Sequence, residues 1–229
     1  MFANLFTVIF TFCLSSFTNL CAARLGVAGE SPWSPARSYC PHCRHPLCWW
    51  QLIPILGFIL QGGHCHFCRR RIPIYDTACE LACGLFAGLL ATPSLFHSFL
   101  VVVVIQALLF IASCDYYYQS LYPLSLAGLL PLLLIIPNWS PPAALTWLII
   151  TTTLGLLTVM AVCLNWLGGG DVMFIAILFF AFGLEYTALI ILISCLASLP
   201  FFIGRRQARL PFLPFLCLAT IVVLTITCA

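Results

Sequence analysis

The stretch GGGDVMFIAILFFAFG, residues 168–183, places a carboxylate, Asp171, at the edge of an apolar run. Lipid cannot solvate an ionised group, so acidic residues at membrane depth are rare and tend to mark functional sites. Glycines lack side chains and allow a backbone or another polar group to come close. The structural alternative is that Asp171 caps the helix that follows it. The stretch therefore predicts a membrane protein in which Asp171 is a candidate functional residue.

The composition of the whole chain supports the same class. Of the 229 residues, 63% are hydrophobic and 7% are charged, whereas soluble domains carry about 25% charged residues. All nine basic residues are arginines, and a net charge of +3 is too small to indicate nucleic-acid binding. We therefore predict an all-α integral membrane protein that lies in the lipid bilayer and has little chain to spare for a soluble domain.

Apolar runs alternate with short polar breaks along the chain. A helix needs about 20 residues to cross the hydrocarbon. We predict a first transmembrane helix within residues 1–23, a polar loop over residues 24–77 and a seven-helix membrane domain over residues 78–229. The seven helices are expected near residues 78–91, 97–114, 121–137, 143–167, 172–183, 186–203 and 211–228, with breaks at 92–94, 138–142 and 204–209. The pattern thus predicts about eight transmembrane helices.

The arginines predict the orientation of these helices. Six of the nine lie in residues 24–77, and positively charged loops are retained on the cytoplasmic side. This loop is therefore expected to be cytoplasmic, with the N-terminus outside. Counting crossings from there places the turns at 115–120, 168–171 and 205–209 on the cytoplasmic side, so the second arginine cluster agrees with the first.

Two Cys-x-x-Cys pairs in the polar loop predict a metal site. Cys40 and Cys43 form one pair, and Cys65 and Cys68 form the other. Pairs about twenty residues apart are typical of a structural zinc site with four thiolates and no open coordination position. Cytoplasmic thiols are kept reduced, which argues against disulfides. Free or redox-active cysteines remain the alternative.

Two aspartates at predicted cytoplasmic helix ends form the second constellation. Asp115 follows the apolar run 101–114, and Asp171 follows the glycines. Two facing carboxylates suit aspartic-protease chemistry: the ionised one takes a proton from the attacking water, and the protonated one protonates the leaving side. Glu80, at the start of a predicted helix on the cytoplasmic side, is either a substrate-facing residue or a carboxylate in the first turn of that helix, and we favour the latter.

In this order the features resemble the type IV prepilin peptidases, and the resemblance covers nearly the full length. The matching features are the first helix, the segments 40–43 and 65–68, Asp115 at the end of the third helix, and the segment 168–171, which is similar to the family's G-x-G-D motif. Residues 210–215 are similar to the family's Pro-Phe-x-Pro-Phe segment. Met173 departs from the pattern, since family members usually carry Lys or Arg at that position.

The resemblance implies a membrane-embedded aspartic endopeptidase of the bacterial inner membrane with Asp115 and Asp171 as catalytic residues. It further implies cleavage of a short basic leader from type IV prepilin or pseudopilin precursors of pilus, secretion or competence systems at the cytoplasmic face. Some relatives also methylate the new N-terminus with S-adenosylmethionine. The sequence nominates no residues for that cofactor and indicates no oligomeric state.

Two other classes of function are open. In a proton-coupled transporter, Asp115 and Asp171 would relay protons, but this would leave the cysteine pairs unexplained and the chain shows no inverted repeat. In a membrane zinc or redox sensor, the cysteines would carry the function and the aspartates would be helix caps.

Overall fold

The computed structural model describes residues 2–27, 31, 37–136, 144–163, 168–205 and 211–228. These residues form helices and two isolated β-bridges, and the described part contains no strand. The elements are α1 (Phe2–Leu25), a 3₁₀ helix (Trp49–Leu52), α2 (Leu56–Leu60), α3 (Ile74–Leu90), α4 (Leu95–Tyr118), a second 3₁₀ helix (Pro123–Leu129), α5 (Leu132–Ile135), α6 (Ala144–Cys163), α7 (Gly169–Arg205) and α8 (Leu213–Cys228).

Helix α4 lies at the centre of the bundle. Helices α1, α3 and α8, the second 3₁₀ helix and α5 all pack against it. In its most apolar part, 61% of α4 is buried by the rest of the protein, compared with 11% of α6. Ile105 and Leu108 of α4 are fully buried in an apolar core with Phe174 of α7 and Leu216 and Leu224 of α8. Asp115 therefore sits on the most enclosed helix of the described part.

A row of polar side chains joins α1 to α4. Gln106 of α4 donates to the Ser15 hydroxyl over 3.1 Å and accepts from the Thr18 hydroxyl over 2.8 Å. About two turns further along α4 towards Asp115, the Ser113 hydroxyl donates to the Asn19 side-chain oxygen over 2.6 Å. Since lipid offers no partner to such groups, hydrogen bonds between helices are how they are satisfied. The sequence analysis did not single out this interface.

Four helices of the described part are long and apolar enough to cross a membrane: Asn4–Leu25, Leu95–Tyr118, Leu145–Cys163 and Gly169–Ile203. The other predicted spans are shorter elements, namely α3 with 17 residues, the broken stretch 123–135 and α8 with 16 residues. The helices predicted near 172–183 and 186–203 correspond to the two parts of α7, which meet at a kink where Gly183 has a non-helical backbone with φ 75°. The expected breaks at 138–142 and 206–209 lie outside the described residues.

Several helix ends differ from the sequence prediction. Helix α3 begins at Ile74, within the predicted loop, and α4 continues three residues past Asp115 to Tyr118. Helix α7 begins at Gly169, so Asp171 lies inside its first turn and does not precede the helix.

Candidate active site and metal centre

Asp115 is held near the end of α4 by the start of α8. Its side chain is 9% exposed, and its Oδ2 accepts a hydrogen bond from the backbone N–H of Leu213 over 3.1 Å. The next turn ends the helix, because Gln119 adopts a left-handed conformation with φ 51° and donates its N–H to the Asp115 carbonyl. The N–H at the start of α8 thus satisfies a carboxylate that would otherwise be buried without a partner.

Asp171 occupies the third position of α7. Its Oδ2 accepts a hydrogen bond from the backbone N–H of Gly168 over 3.3 Å. This is the bond from the N-cap N–H to the side chain of the third helical residue that is found in a capping box. Gly170 lies against the chain that follows α4: a Cβ added there would be 2.8 Å from the Leu121 Cβ. The absence of a side chain at Gly170 therefore allows the first turn of α7 to pack beside the segment that leaves Asp115.

The two aspartates lie within electrostatic range of each other. Cys217, one turn into α8, is fully buried within electrostatic range of both carboxylates. Asp115 is buried and Asp171 is partly exposed. Met173, two residues after Asp171, is 51% exposed and contributes no charge at the start of α7.

A cluster of tyrosines next to Asp115 was missed by the sequence analysis. The Tyr117 hydroxyl donates to Asp76 Oδ1 over 2.7 Å, and the rings of Tyr75 and Tyr116 stack with centroids 3.8 Å apart. The cluster ties the first turn of α3 to the last turn of α4. The run Tyr116–Tyr118 was visible in the sequence, but its partners became predictable only once α3 was known to begin at Ile74.

Glu80 corrects another interpretation. It lies in the second turn of α3, is 7% exposed, and its Oε2 accepts the backbone N–H of Ile55 over 3.0 Å. It therefore connects the cysteine-containing loop to α3 and is not a free carboxylate in a first turn.

The four predicted metal ligands come together in the structure. The Sγ atoms of Cys40, Cys43, Cys65 and Cys68 all lie within 4.8 Å of one another, and those of Cys40 and Cys68 are 3.9 Å apart. Four thiolates at a Zn–S distance of about 2.3 Å would be about 3.8 Å apart at the corners of a tetrahedron. The donor set and its spacing therefore fit a zinc ion.

The two cysteine pairs have the same backbone fold. In the first, the Cys40 N–H donates to the His45 carbonyl and the Arg44 N–H to the Cys40 carbonyl; in the second, Cys65, Arg70 and Arg69 repeat both bonds. Arg44 and Arg69, each directly after a pair, are both left-handed with φ 53° and 57°. Backbone N–H groups of Cys68 and Phe67 lower the pKa of the Cys65 thiol to about 6, so that ligand is prepared as a thiolate.

The chain is similar to known peptidases over most of its length. Residues 9–94 match the Bacterial Peptidase A24 N-terminal domain, and residues 102–203 match the Type IV leader peptidase family. A protein named "Prepilin leader peptidase/N-methyltransferase" from Bacillus subtilis (strain 168) is 31% identical over 189 residues, which cover 78% of this chain and 76% of the relative.

Two further relatives carry the same name. One from Burkholderia pseudomallei (strain 1026b) is 29% identical over 257 aligned positions, covering 92% of this chain and 81% of the relative. One from Neisseria gonorrhoeae is 43% identical over 54 residues, covering 24% of this chain and 19% of the relative. No solved structure matches the chain.

Proposed function

The chain belongs to the type IV leader peptidase family, and from that premise we propose that it is a membrane-embedded aspartic endopeptidase. Its substrates are type IV prepilin or pseudopilin precursors of the bacterial inner membrane, and it cleaves their leader at the cytoplasmic face. Asp115 and Asp171 share one proton: the ionised member takes a proton from the attacking water, and the protonated member donates to the leaving amine.

The observation that carries this proposal is the convergence of three helices on the two carboxylates. Helix α4 supplies Asp115, the first turn of α7 supplies Asp171, and the start of α8 holds Asp115 through the Leu213 N–H. A transporter relay would need carboxylates along a pathway through the membrane. Here the two acids lie together at one end of α4 and α7.

The test is cleavage of a purified prepilin by the full chain in proteoliposomes. Asp115→Asn and Asp171→Asn each keep the size of the side chain and remove its charge, so each should reduce kcat at least about a thousandfold. Glu185→Gln is the matched control, since Glu185 lies on α7 with Asp171 but beyond the interruption at Gly183. Cleavage at the wild-type rate by either aspartate variant would refute the assignment.

We also propose that the chain crosses the membrane eight times, with the N-terminus outside. The crossing elements are α1, α3, α4, the stretch 123–135, α6, the two parts of α7 on either side of Gly183, and α8. A continuous α7 of 37 residues would be about 55 Å long, far more than a hydrocarbon core of about 30 Å.

The topology is tested with alkaline phosphatase fusions, because the enzyme is active only outside the cytoplasm. A fusion after Leu90 should be active, and the same fusion after Tyr118 should be inactive. The reverse result would contradict this topology.

The cysteine cluster is proposed to hold a structural zinc ion through Cys40, Cys43, Cys65 and Cys68. Zinc would crosslink two turns that have little core of their own, and four thiolates leave it no position for substrate. Elemental analysis of the purified full chain should give one zinc per chain.

A second activity, N-methylation of the new N-terminus with S-adenosylmethionine, is proposed on one observation: the curated relatives carry N-methyltransferase in their names. No described residue is assigned to that cofactor, so no methyl-transfer step is derived. Transfer of a radiolabelled methyl group to a cleaved prepilin tests the activity directly.

A further inference from the structure

A set of large apolar side chains is exposed in the cysteine-containing loop. Trp49 is 78% exposed, Leu56 54%, Ile59 63% and Leu60 66%, and Leu52 beside them is 45% exposed. We call these five residues the loop apolar surface. They belong to the first 3₁₀ helix and α2, which are too short to cross a membrane. The two short helices that carry these side chains are in contact, and large apolar side chains exposed together in this way indicate an interaction site.

The loop apolar surface is fixed beside α3 at a defined depth. The Ile55 N–H donates to Glu80, which lies six residues after the start of α3 at Ile74, or about 9 Å along the helix axis. Leu81, the residue after Glu80, and Leu85, about one turn further along α3, are 48% and 57% exposed. The segment is therefore attached to α3 at Glu80, beside exposed apolar side chains of that helix.

Positive charge accompanies this surface. Arg69, Arg70 and Arg71 are all exposed, and residues 37–73 contain no Asp or Glu. The β-bridge between His64 and Arg71 holds this arginine run against the chain that leaves α2. Apolar side chains at the acyl boundary together with arginines at the headgroups are the pattern of an interfacial membrane segment.

We propose that the loop apolar surface inserts into the lipid–water interface of the bilayer that holds the helices, while Arg69–Arg71 bind anionic lipid headgroups. The occupant is lipid and not a protein partner for two reasons. The loop is connected at both ends to helices of the bundle, α1 and α3. Its arginines, with no acidic residue among residues 37–73, give it a positive charge that complements an anionic leaflet. Membrane docking of the loop does not depend on the peptidase activity, so either can fail while the other stands.

The experiment uses the full chain in nanodiscs of phosphatidylcholine with or without phosphatidylglycerol. The fluorescence of Trp49 is taken as the difference between wild type and Trp49→Phe, and its quenching by brominated lipid and by aqueous iodide is measured. Each arginine near an anionic surface is worth about fivefold in affinity. Trp49 should therefore be quenched by brominated lipid and protected from iodide, most strongly in the anionic discs.

The triple variant Arg69→Gln, Arg70→Gln, Arg71→Gln should remove the difference between the two lipid compositions. Its bound zinc, unchanged from wild type, would show that the loop is folded. Should the variant lose zinc, wild type in 1 M salt provides the same comparison without a substitution, because salt screens the headgroup attraction. Equal iodide quenching in both discs, or protection that appears only when a prepilin is added, would overturn the proposal.

Discussion

Gly170→Ala tests whether the glycines position Asp171. The new Cβ would lie 2.8 Å from the Leu121 Cβ, whereas ordinary Cβ contacts begin at 3.4 Å. The contact is to a Cβ fixed on the backbone, so the first turn of α7 or the chain after α4 must move by about 0.6 Å or more. Misplacing a catalytic group by about 1 Å can cost about a hundredfold, and we therefore expect kcat to fall about tenfold to a hundredfold.

Gly169→Ala is the matched control, because a Cβ at Gly169 meets nothing within 4 Å. Both variants add the same methyl group to the same helical turn, so any difference in intrinsic helix propensity cancels. The assay is prepilin cleavage in proteoliposomes at several substrate concentrations, with thermal unfolding of each variant measured in parallel. Since the displaced contact lies next to Asp171 and far from most of the apolar core, the relative loss in kcat should be larger than the loss in thermal stability.

Leu121→Gly, combined with Gly170→Ala, removes the atom that the new Cβ would meet. Part of the lost activity should return in this double variant, relative to Leu121→Gly alone. Equal activity of the two single alanine variants would refute the close approach of Gly170 and Leu121 as the determinant of the position of Asp171.

Three further predictions concern the parts around the site. Cys65→Ser should abolish bound zinc and lower the amount of protein in the membrane, whereas Cys48→Ser, outside the cluster, should change neither; zinc analysis and immunoblotting decide. Gln106→Leu should lower the free energy of unfolding by about 1 kcal/mol, as is typical for a hydrogen bond between membrane helices, and an unfolding titration in detergent that shows no loss would contradict it. Tyr117→Phe, which removes the hydrogen bond to Asp76, should cost about 1.5–3 kcal/mol if that carboxyl is charged; an unchanged midpoint in the same titration would argue against a charged Asp76.

The sequence predicted the parts of this molecule that follow from local pattern. The Cys-x-x-Cys spacing predicted all four members of the cluster. Within each pair, a short local turn brings the two thiols together independently of packing elsewhere in the chain. The family was likewise predictable from the ordered motifs, and the comparisons confirm it. The roles of Asp115 and Asp171 remain proposals, although the structure does bring the two helix ends within electrostatic range.

What the sequence did not show depends on packing between distant segments. Glu80 looked like a helix-start carboxylate because its partner, the Ile55 N–H, lies 25 residues earlier in a loop without a regular pattern. Asp171 was expected to precede a helix as its N-cap, whereas α7 begins two residues earlier, at Gly169.

The polar contacts between α1 and α4 have a consequence for the order of events during synthesis. Thr18 and Gln106 are 88 residues apart, and Ser15 and Gln106 are 91 residues apart. At a synthesis rate of about 5–20 residues per second, α1 waits about 5–20 s in the membrane before its partners on α4 exist. During that interval Ser15 and Asn19 face lipid or another protein, so we expect α1 to stay beside the insertion machinery until α4 arrives. The first helix made thus packs against α3 before its polar side chains meet their partners on α4.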